Sequence, residues 1–454
     1  MTDDIIQKYN VPVPRYTSYP TANYFEDFTN EQYLDMVKAS NDAPNNHISF
    51  YIHVPFCRHL CHYCGCNSMA MAKDDRIEAY FQAIHQEINL LLPHLSKDRR
   101  ISQIHYGGGS PSSMPLHYIK AVNEHLLSAF DVIEQPEIAI ECHPGYLQKD
   151  DWEYLTRCGF TRYSLGIQDF NDEVLHTVNR RPSLLPVEDI LHILRADGAR
   201  VNFDFIYGLP KQTVDSFSQT IERAIRLSPD RLVTFSYAHV PWLYKSQTIL
   251  EKAGLPTHED KLMMFNHART LLTDAGYCPI GMDHFVRPDD DLQVALENKA
   301  LHRNFQGYCP RRITAQVYAL GVSGISQLDG AYAQNTKNVK TYIENLKAGK
   351  LCIEKGYALT DWQKVAREVI ECLMCNYYVN WNELANRLCL SVDEVKAALH
   401  YDENVLQEMA TDRLIDFSSD HITMTQEGSP FVRNVAAALD RMMQNTTKKF
   451  SKPI

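Results

Sequence analysis

Four cysteines fall close together in Cys57-Arg-His-Leu-Cys61-His-Tyr-Cys64-Gly-Cys66, and their spacing defines the chemistry open to this chain. Cys57, Cys61 and Cys64 form a short loop able to wrap one small inorganic body. Thiolates suit iron–sulfur clusters and zinc. If only these three bind a [4Fe–4S] cluster, one iron lacks a protein ligand and is open to a cofactor or substrate. The competing reading is zinc, with Cys66 completing a closed tetrahedral site. Structural zinc sites usually draw two cysteine pairs from separated knuckles, whereas all four thiols here lie on one loop. The spacing therefore favours iron and sulfur.

Other residues carry chemistry only if the fold brings them to that loop. Gly107-Gly-Gly109 permits close backbone approach to a ligand, or serves as a plain tight turn. Glu141, Gln168, Asp204 and Ala238 lie near the ends of apolar β-rich runs, and Arg180 follows one of them. Those runs are 47–55, 101–109, 137–144, 162–168, 200–210 and 231–240, each followed by a helix-like stretch. Between the first two, Ile77, Phe81, Ile84, Ile88 and Leu91 recur at three- and four-residue intervals, as on one helix face. Six strand–helix alternations predict parallel βαβ units and a partial (β/α)6-type barrel, in which functional residues gather at the C-terminal ends of the strands. A flat doubly wound sheet would give the same local pattern.

The flanks read differently. Residues 1–45, with Pro12-Val-Pro-Arg-Tyr-Thr-Ser-Tyr-Pro20, are expected to be extended, because each proline fixes φ and pushes its predecessor out of helix. Residues 46–340 would form the barrel and the elements after it, and 341–454 a helical C-terminal domain. Thr360-Asp-Trp-Gln363 opens a helix as a capping box, and two short helices meet at Leu390-Ser391. That pair has few basic residues, and the net charge of the 454-residue chain is −11, so nucleic acid is not an expected partner. No apolar run approaches membrane-spanning length and the N-terminus lacks a secretory pattern, so a cytoplasmic protein with reduced thiols is expected, as a monomer.

The cysteine motif resembles that of the radical S-adenosylmethionine enzymes. Joined to Cys66-Asn67, Pro14-Arg-Tyr-Thr-Ser-Tyr-Pro-Thr21, Tyr51-Ile-His-Val-Pro-Phe56, Gly107-Gly-Gly-Ser-Pro111, Gly166-Ile-Gln-Asp-Phe170, Asp204-Phe-Ile-Tyr-Gly-Leu-Pro-Lys-Gln212, Met282-Asp-His-Phe285, His302-Arg-Asn-Phe-Gln-Gly-Tyr308 and Tyr332-Ala-Gln-Asn335, it is similar to the oxygen-independent coproporphyrinogen III oxidase (dehydrogenase) family. The resemblance implies a radical SAM barrel with a [4Fe–4S] cluster on Cys57, Cys61 and Cys64. It implies one S-adenosylmethionine contacted by Tyr51, Tyr63, Gly108, Gly109, Ser110, Glu141 and Ile325. A second S-adenosylmethionine would lie by Gln168, Arg180, Asp204 and Ala238, with Gln168, Arg180 and Asp204 set away from the cysteine loop. The implied reaction turns two propionates of coproporphyrinogen III into vinyl groups, giving protoporphyrinogen IX, and draws on an unidentified low-potential electron donor and an electron acceptor. Arg15, then Arg303 and Arg311-Arg312, are candidates to meet the substrate's carboxylates.

Two stretches depart from the family pattern. The chain has Glu141-Cys-His-Pro144 where the family usually has Asp before Pro, and Thr314-Ala-Gln-Val-Tyr-Ala-Leu-Gly321 in place of Thr-Asp-Leu-x-Gly-x-Gly. Both changes are expected to reshape the pocket. They keep open a porphyrin- or haem-modifying methyltransferase or ring-opening relative, and a non-catalytic haem chaperone. The chaperone branch typically carries Phe at the position of Cys66, so Cys66 points to the oxidase branch.

Overall fold

Strand alternation sorts polar from apolar side chains in an inverted sense, with polar residues inside and apolar residues outside. The computed structural model describes residues 3–311, 313 and 316–452. It contains β1 (His47–Val54), β2 (Arg100–Gly108), β3 (Asp131–Cys142), β4 (Arg162–Gln168), β5 (Arg200–Tyr207) and β6 (Arg231–Ser236), each parallel to the next. Val201, Phe203 and Phe205 of β5 point outward and are fully buried, while Asn202 and Asp204 between them face a cavity. The outward residues pack on α1 (Asp74–Leu91), α2 (Leu116–Ala129), α3 (Lys149–Thr156), α4 (Val187–Ala196) and α5 (Val214–Leu227). In α1 the buried face holds Ile77, Phe81, Ile84, Ile88 and Leu91. Each such side chain contributes about 1.5–3 kcal/mol, which offsets the entropy of fixing the layer.

The sheet stays open. A seventh parallel strand, Gln316–Leu320, pairs with β1, and His284–Val286 pairs antiparallel with β6. The outermost strands are Glu26–Asp27 at one edge and Cys278–Ile280 at the other. The Leu301–Asn304 and Gly307–Pro310 hairpin lies near both halves, with Asn304 close to Gln103 of β2 and Tyr308 against His284.

Three expectations need correction. Residues 1–45 are not extended throughout: Asp3–Tyr9 and Asn30–Ala39 are helices, the second begun by Thr29 and Gln32 in a capping box. Residues 10–21 are non-helical but irregular rather than extended, with bends at 17–20 and Tyr16 in the left-handed region at φ +46°. Tyr9, Val13, Tyr16 and Tyr19 pack in one apolar core with Val369, Trp381, Leu406 and Val435, while Tyr33 and Val37 belong to the barrel core. The region after 341 also contains strands: Ile353–Ala358 extends the large sheet, and Tyr378–Asn380, His421–Met424 and Ile415–Phe417 form a small sheet beside the helices. Finally, Tyr318 does not reshape the cavity. It is buried in the outer core beside Phe50, with its hydroxyl by that of Ser40. Arg312, Thr314 and Ala315 lie outside the described residues.

Candidate active site

The inner face of β2–β6 and the loops at its C-terminal end enclose a cavity of about 570 Å³. Cys57, Cys61, Cys64 and Cys66 line it. Their loop is held from both sides. Its base pairs Phe56–Cys57 with Met69–Ala70, the His62 amide donates to Val178 O at 3.0 Å and Asn179 Nδ2 to Leu60 O at 2.8 Å. From beyond β6, Tyr244 donates to Gly65 O at 2.8 Å and Gln247 to Tyr63 O at 3.2 Å. The thiols are not equivalent. Burial pushes Cys57 up to about 12, whereas the hydrogen bond from the Cys66 side chain brings Cys64 down to about 6. Cys66 thus supports the Cys64 sulfur, and its amide also faces that sulfur at 3.4 Å.

The glycine run lies directly beneath this loop. A Cβ on Gly109 would sit 2.7 Å from the Pro55 carbonyl and 3.0 Å from Cys57 Sγ, so a side chain there would displace the cluster loop. Gly108 has φ +111°, which L side chains rarely adopt, and a Cβ there would meet the His53 ring at 2.6 Å. Ser110 continues the turn, buried, with its hydroxyl 2.6 Å from that of Ser113. Glu141 lies on the adjacent wall, 3.2 Å from His105 Nε2.

On the opposite wall, Arg180 is buried and donates to Tyr63 Oη at 3.2 Å, to Cys61 Sγ at 3.6 Å and to Gly166 O. Arg180 is therefore not set away from the cysteine loop: it ties that loop to β4. Gln168 closes β4 with φ +69° and a buried Oε1 that has no partner among the described residues. Asp204 accepts from the Ser164 hydroxyl at 2.7 Å, and burial pushes its carboxyl up to about 6. These groups fit a polar cofactor: an acceptor without a partner, a carboxyl with one, and a backbone cradle free of side chains. The thiol loop fits an iron–sulfur cluster by the softness of its donors. Among the described residues, no three His, Cys, Asp or Glu side chains gather closely enough to hold a single metal ion.

Tyr63, Gly108, Gly109, Ser110, Glu141, Gln168, Arg180, Asp204 and Ala238 all line the cavity with Cys57, Cys61 and Cys64. Tyr51, Ile325 and Arg15 do not. Tyr51 stands one layer back, stacked on His105 and bonded to His53, and Ile325 packs with Phe25 and Tyr332. Arg15 is exposed. Arg303 sits 4.9 Å over the Tyr308 ring and Arg311 pairs with Glu368 at 3.3 Å, which removes Arg311 from the cavity wall. Sequence reasoning missed the floor, where Arg162 and Arg231 meet Glu137 and Asp290, and the walls His105, Phe235 and His284. The signal was present: alternate positions such as Gln103 and His105, Glu137 and Glu141, Arg162 and Ser164, Asn202 and Asp204, and Arg231 carry polar or charged groups where an ordinary barrel core would carry Val or Leu.

The Radical SAM superfamily model matches residues 51–224. Oxygen-independent coproporphyrinogen III oxidases are similar along their whole length. That of Salmonella typhimurium is 38% identical, over 99% of this chain and 98% of the relative, and that of Escherichia coli K12 is 37% identical over the same shares. The relative from Synechocystis is 35% identical, over 99% and 97%. Among solved structures, coproporphyrinogen III oxidase from Escherichia coli, described as a radical SAM enzyme, superposes with a TM-score of 0.87 at 36% identity, covering 97% of this chain and 99% of that one.

Proposed function

Since the chain belongs to the oxygen-independent coproporphyrinogen III oxidase family of radical S-adenosylmethionine enzymes, we propose that this cavity holds coproporphyrinogen III while two of its propionates become vinyl groups, giving protoporphyrinogen IX. The observation that carries the reading is the contact of the three-cysteine loop with the glycine cradle, both opening into one cavity studded with polar and charged side chains. When bound, a [4Fe–4S] cluster and S-adenosylmethionine supply one-electron cleavage of the sulfonium and hydrogen abstraction from the propionate chain.

The protein's part is to bind, orient and shield. Cys57, Cys61 and Cys64 would hold the cluster. Gly108, Gly109 and Ser110 would receive the amino-acid end of S-adenosylmethionine, with Glu141, Tyr51, Tyr63 and Ile325 around it. Gln168, Arg180, Asp204 and Ala238 would hold a second molecule, Arg180 touching both groups through Tyr63 and Cys61. Arg15 would meet a substrate carboxylate at the rim. Loss of CO2 and a hydrogen atom from each propionate leaves one electron to pass on, so an acceptor is needed besides the low-potential donor. The same reading makes the protein a cytoplasmic monomer; among the described residues no helix is long and apolar enough to cross a membrane.

Anaerobic incubation with coproporphyrinogen III, S-adenosylmethionine and a strong reductant tests the reading. A product with vinyl groups and two carboxyls fewer supports it. A methylated product, or no turnover by cluster-loaded protein, overturns it.

A further inference from the structure

We propose that His284 is a specificity-determining residue that anchors one propionate carboxylate of the substrate through its ring Nε2, with Asp283 as the positioning residue behind it. The proposal rests on the tetrapyrrole reading above and adds a contact which that reading does not name.

His284 opens the antiparallel strand beside β6, opposite Val233, and its side chain lines the cavity. Nδ1 is 2.6 Å from Asp283 Oδ1. Burial pushes the Asp283 carboxyl up, but His284, Arg303 and Arg15 together outweigh it and hold the group below the usual carboxylate range. An ionised carboxylate can only accept, so Nδ1 carries a proton and Nε2 is left as the outward-facing nitrogen. Among the described residues Nε2 has no hydrogen-bond partner.

Two rings fix the imidazole edgewise. Tyr308 stands perpendicular to it with centroids 5.1 Å apart, and Phe235 does so at 6.3 Å. The approach to Nε2 is kept open by Gly307, whose φ of +138° excludes ordinary side chains and whose Cβ, if present, would sit 3.9 Å from Nε2. A ring nitrogen fixed in position, an open approach and no partner among the described residues describe a binding contact rather than a packed core histidine.

The surrounding charge selects the ligand. Groups acting on this corner are the Asp283 and Asp204 carboxyls, the Tyr308 hydroxyl, and the guanidinium groups of Arg303 and Arg15. A carboxylate arriving at Nε2 needs a proton on that nitrogen, which its own negative charge favours, and two arginines nearby favour an anion in front of the ring. By contrast, Arg162 and Arg231 on the floor already face Glu137 and Asp290. A flexible carboxylate arm on a large hydrophobic ring suits this corner.

The test compares two stable porphyrins by equilibrium binding to the cluster-loaded protein: coproporphyrin III, with four carboxylates, and its tetramethyl ester, with none. His284→Gln keeps a donor of similar reach but cannot be a cation. It should weaken coproporphyrin III binding about ten- to hundredfold and ester binding less than twofold. Asp283→Asn should act in the same direction with a smaller effect. Equal weakening of both ligands would mean that His284 merely shapes the wall, and no weakening of either would mean that it faces no carboxylate; each result overturns the proposal. Because the assay needs no turnover, failure of wild-type protein to form vinyl groups would count against the proposed reaction alone.

Discussion

Cys64 and Cys66 differ by two positions and by what their sulfurs meet. Cys66 donates to Cys64, while Cys61 meets Arg180. Replacing Cys57, Cys61 or Cys64 by Ser should abolish cluster retention, read as iron and sulfide per chain after anaerobic reconstitution, whereas Cys66→Ser should keep a full cluster. Equal iron loss in the Cys66 variant would make it a ligand. Arg180 carries the second prediction at this scale. Its guanidinium joins Gly166 O, Tyr63 Oη and Cys61 Sγ, and no shorter side chain reaches all three. Arg180→Ala should cut decarboxylation by at least a hundredfold, on the order of 3 kcal/mol, and also speed iron loss to a chelator. Unchanged chelation kinetics would show that the contact with the cysteine loop carries no restraint.

At the scale of elements, the segment 10–21 matters because the C-terminal helices hold it. Arg433 donates to Pro14 O at 3.0 Å and to Val13 O, and the hydroxyls of Tyr16 and Tyr19 donate to Asp440 at 3.0 and 2.8 Å. Arg15 rides on this strap. Asp440→Ala leaves two buried hydroxyls without an acceptor, a loss of about 1–3 kcal/mol each. The melting temperature should fall by several degrees and limited proteolysis should cut near Arg15 first; unaltered protease resistance there would show that the apolar contacts of Tyr16 and Tyr19 hold the strap by themselves. Substrate affinity should fall in the same variant, since the strap sets the position of Arg15.

For the molecule as a whole, buried carboxyls set how stability depends on pH. Glu87 on α1 accepts from Gly321 N at 2.9 Å, from Asn335 Nδ2 at 2.7 Å and from Tyr342, but burial wins and pushes its carboxyl up to about 7. Between its usual value of 4.5 and about 7 the folded chain holds a proton that the unfolded chain has released. Stability from this group is therefore greatest below pH 4.5 and declines as pH rises to 7, by up to about 3 kcal/mol. Glu137, held down to about 2 by Arg162 and Arg231 against its own burial, acts in the other direction. Its stabilisation is complete above its ordinary range and is lost only in stronger acid. Urea melts at pH 5 and 7.5 should show the Glu87 loss, and Glu87→Gln should flatten the difference. A steeper slope in that variant would place the titration elsewhere.

What the sequence alone determined is local. Apolar spacing marked β1 through β6 and α1, because burial on one face imposes a period of two or of 3.6 within a short window. Cysteine spacing named the cluster loop, and the glycine run named the cradle, since both depend on neighbours in the chain. Tertiary structure decided what long-range contacts decide. It placed Arg180 against Cys61, 119 residues away, and divided the N-terminal 45 residues among three apolar clusters. It turned Tyr318 outward into apolar packing and left the sheet open with a hairpin near both of its halves. It gave His284 its role by setting Asp283 behind it and Gly307 in front. Such pairings rest on which surfaces meet once the strands are laid side by side, and a periodic pattern read along one strand carries no record of the residues across the cavity.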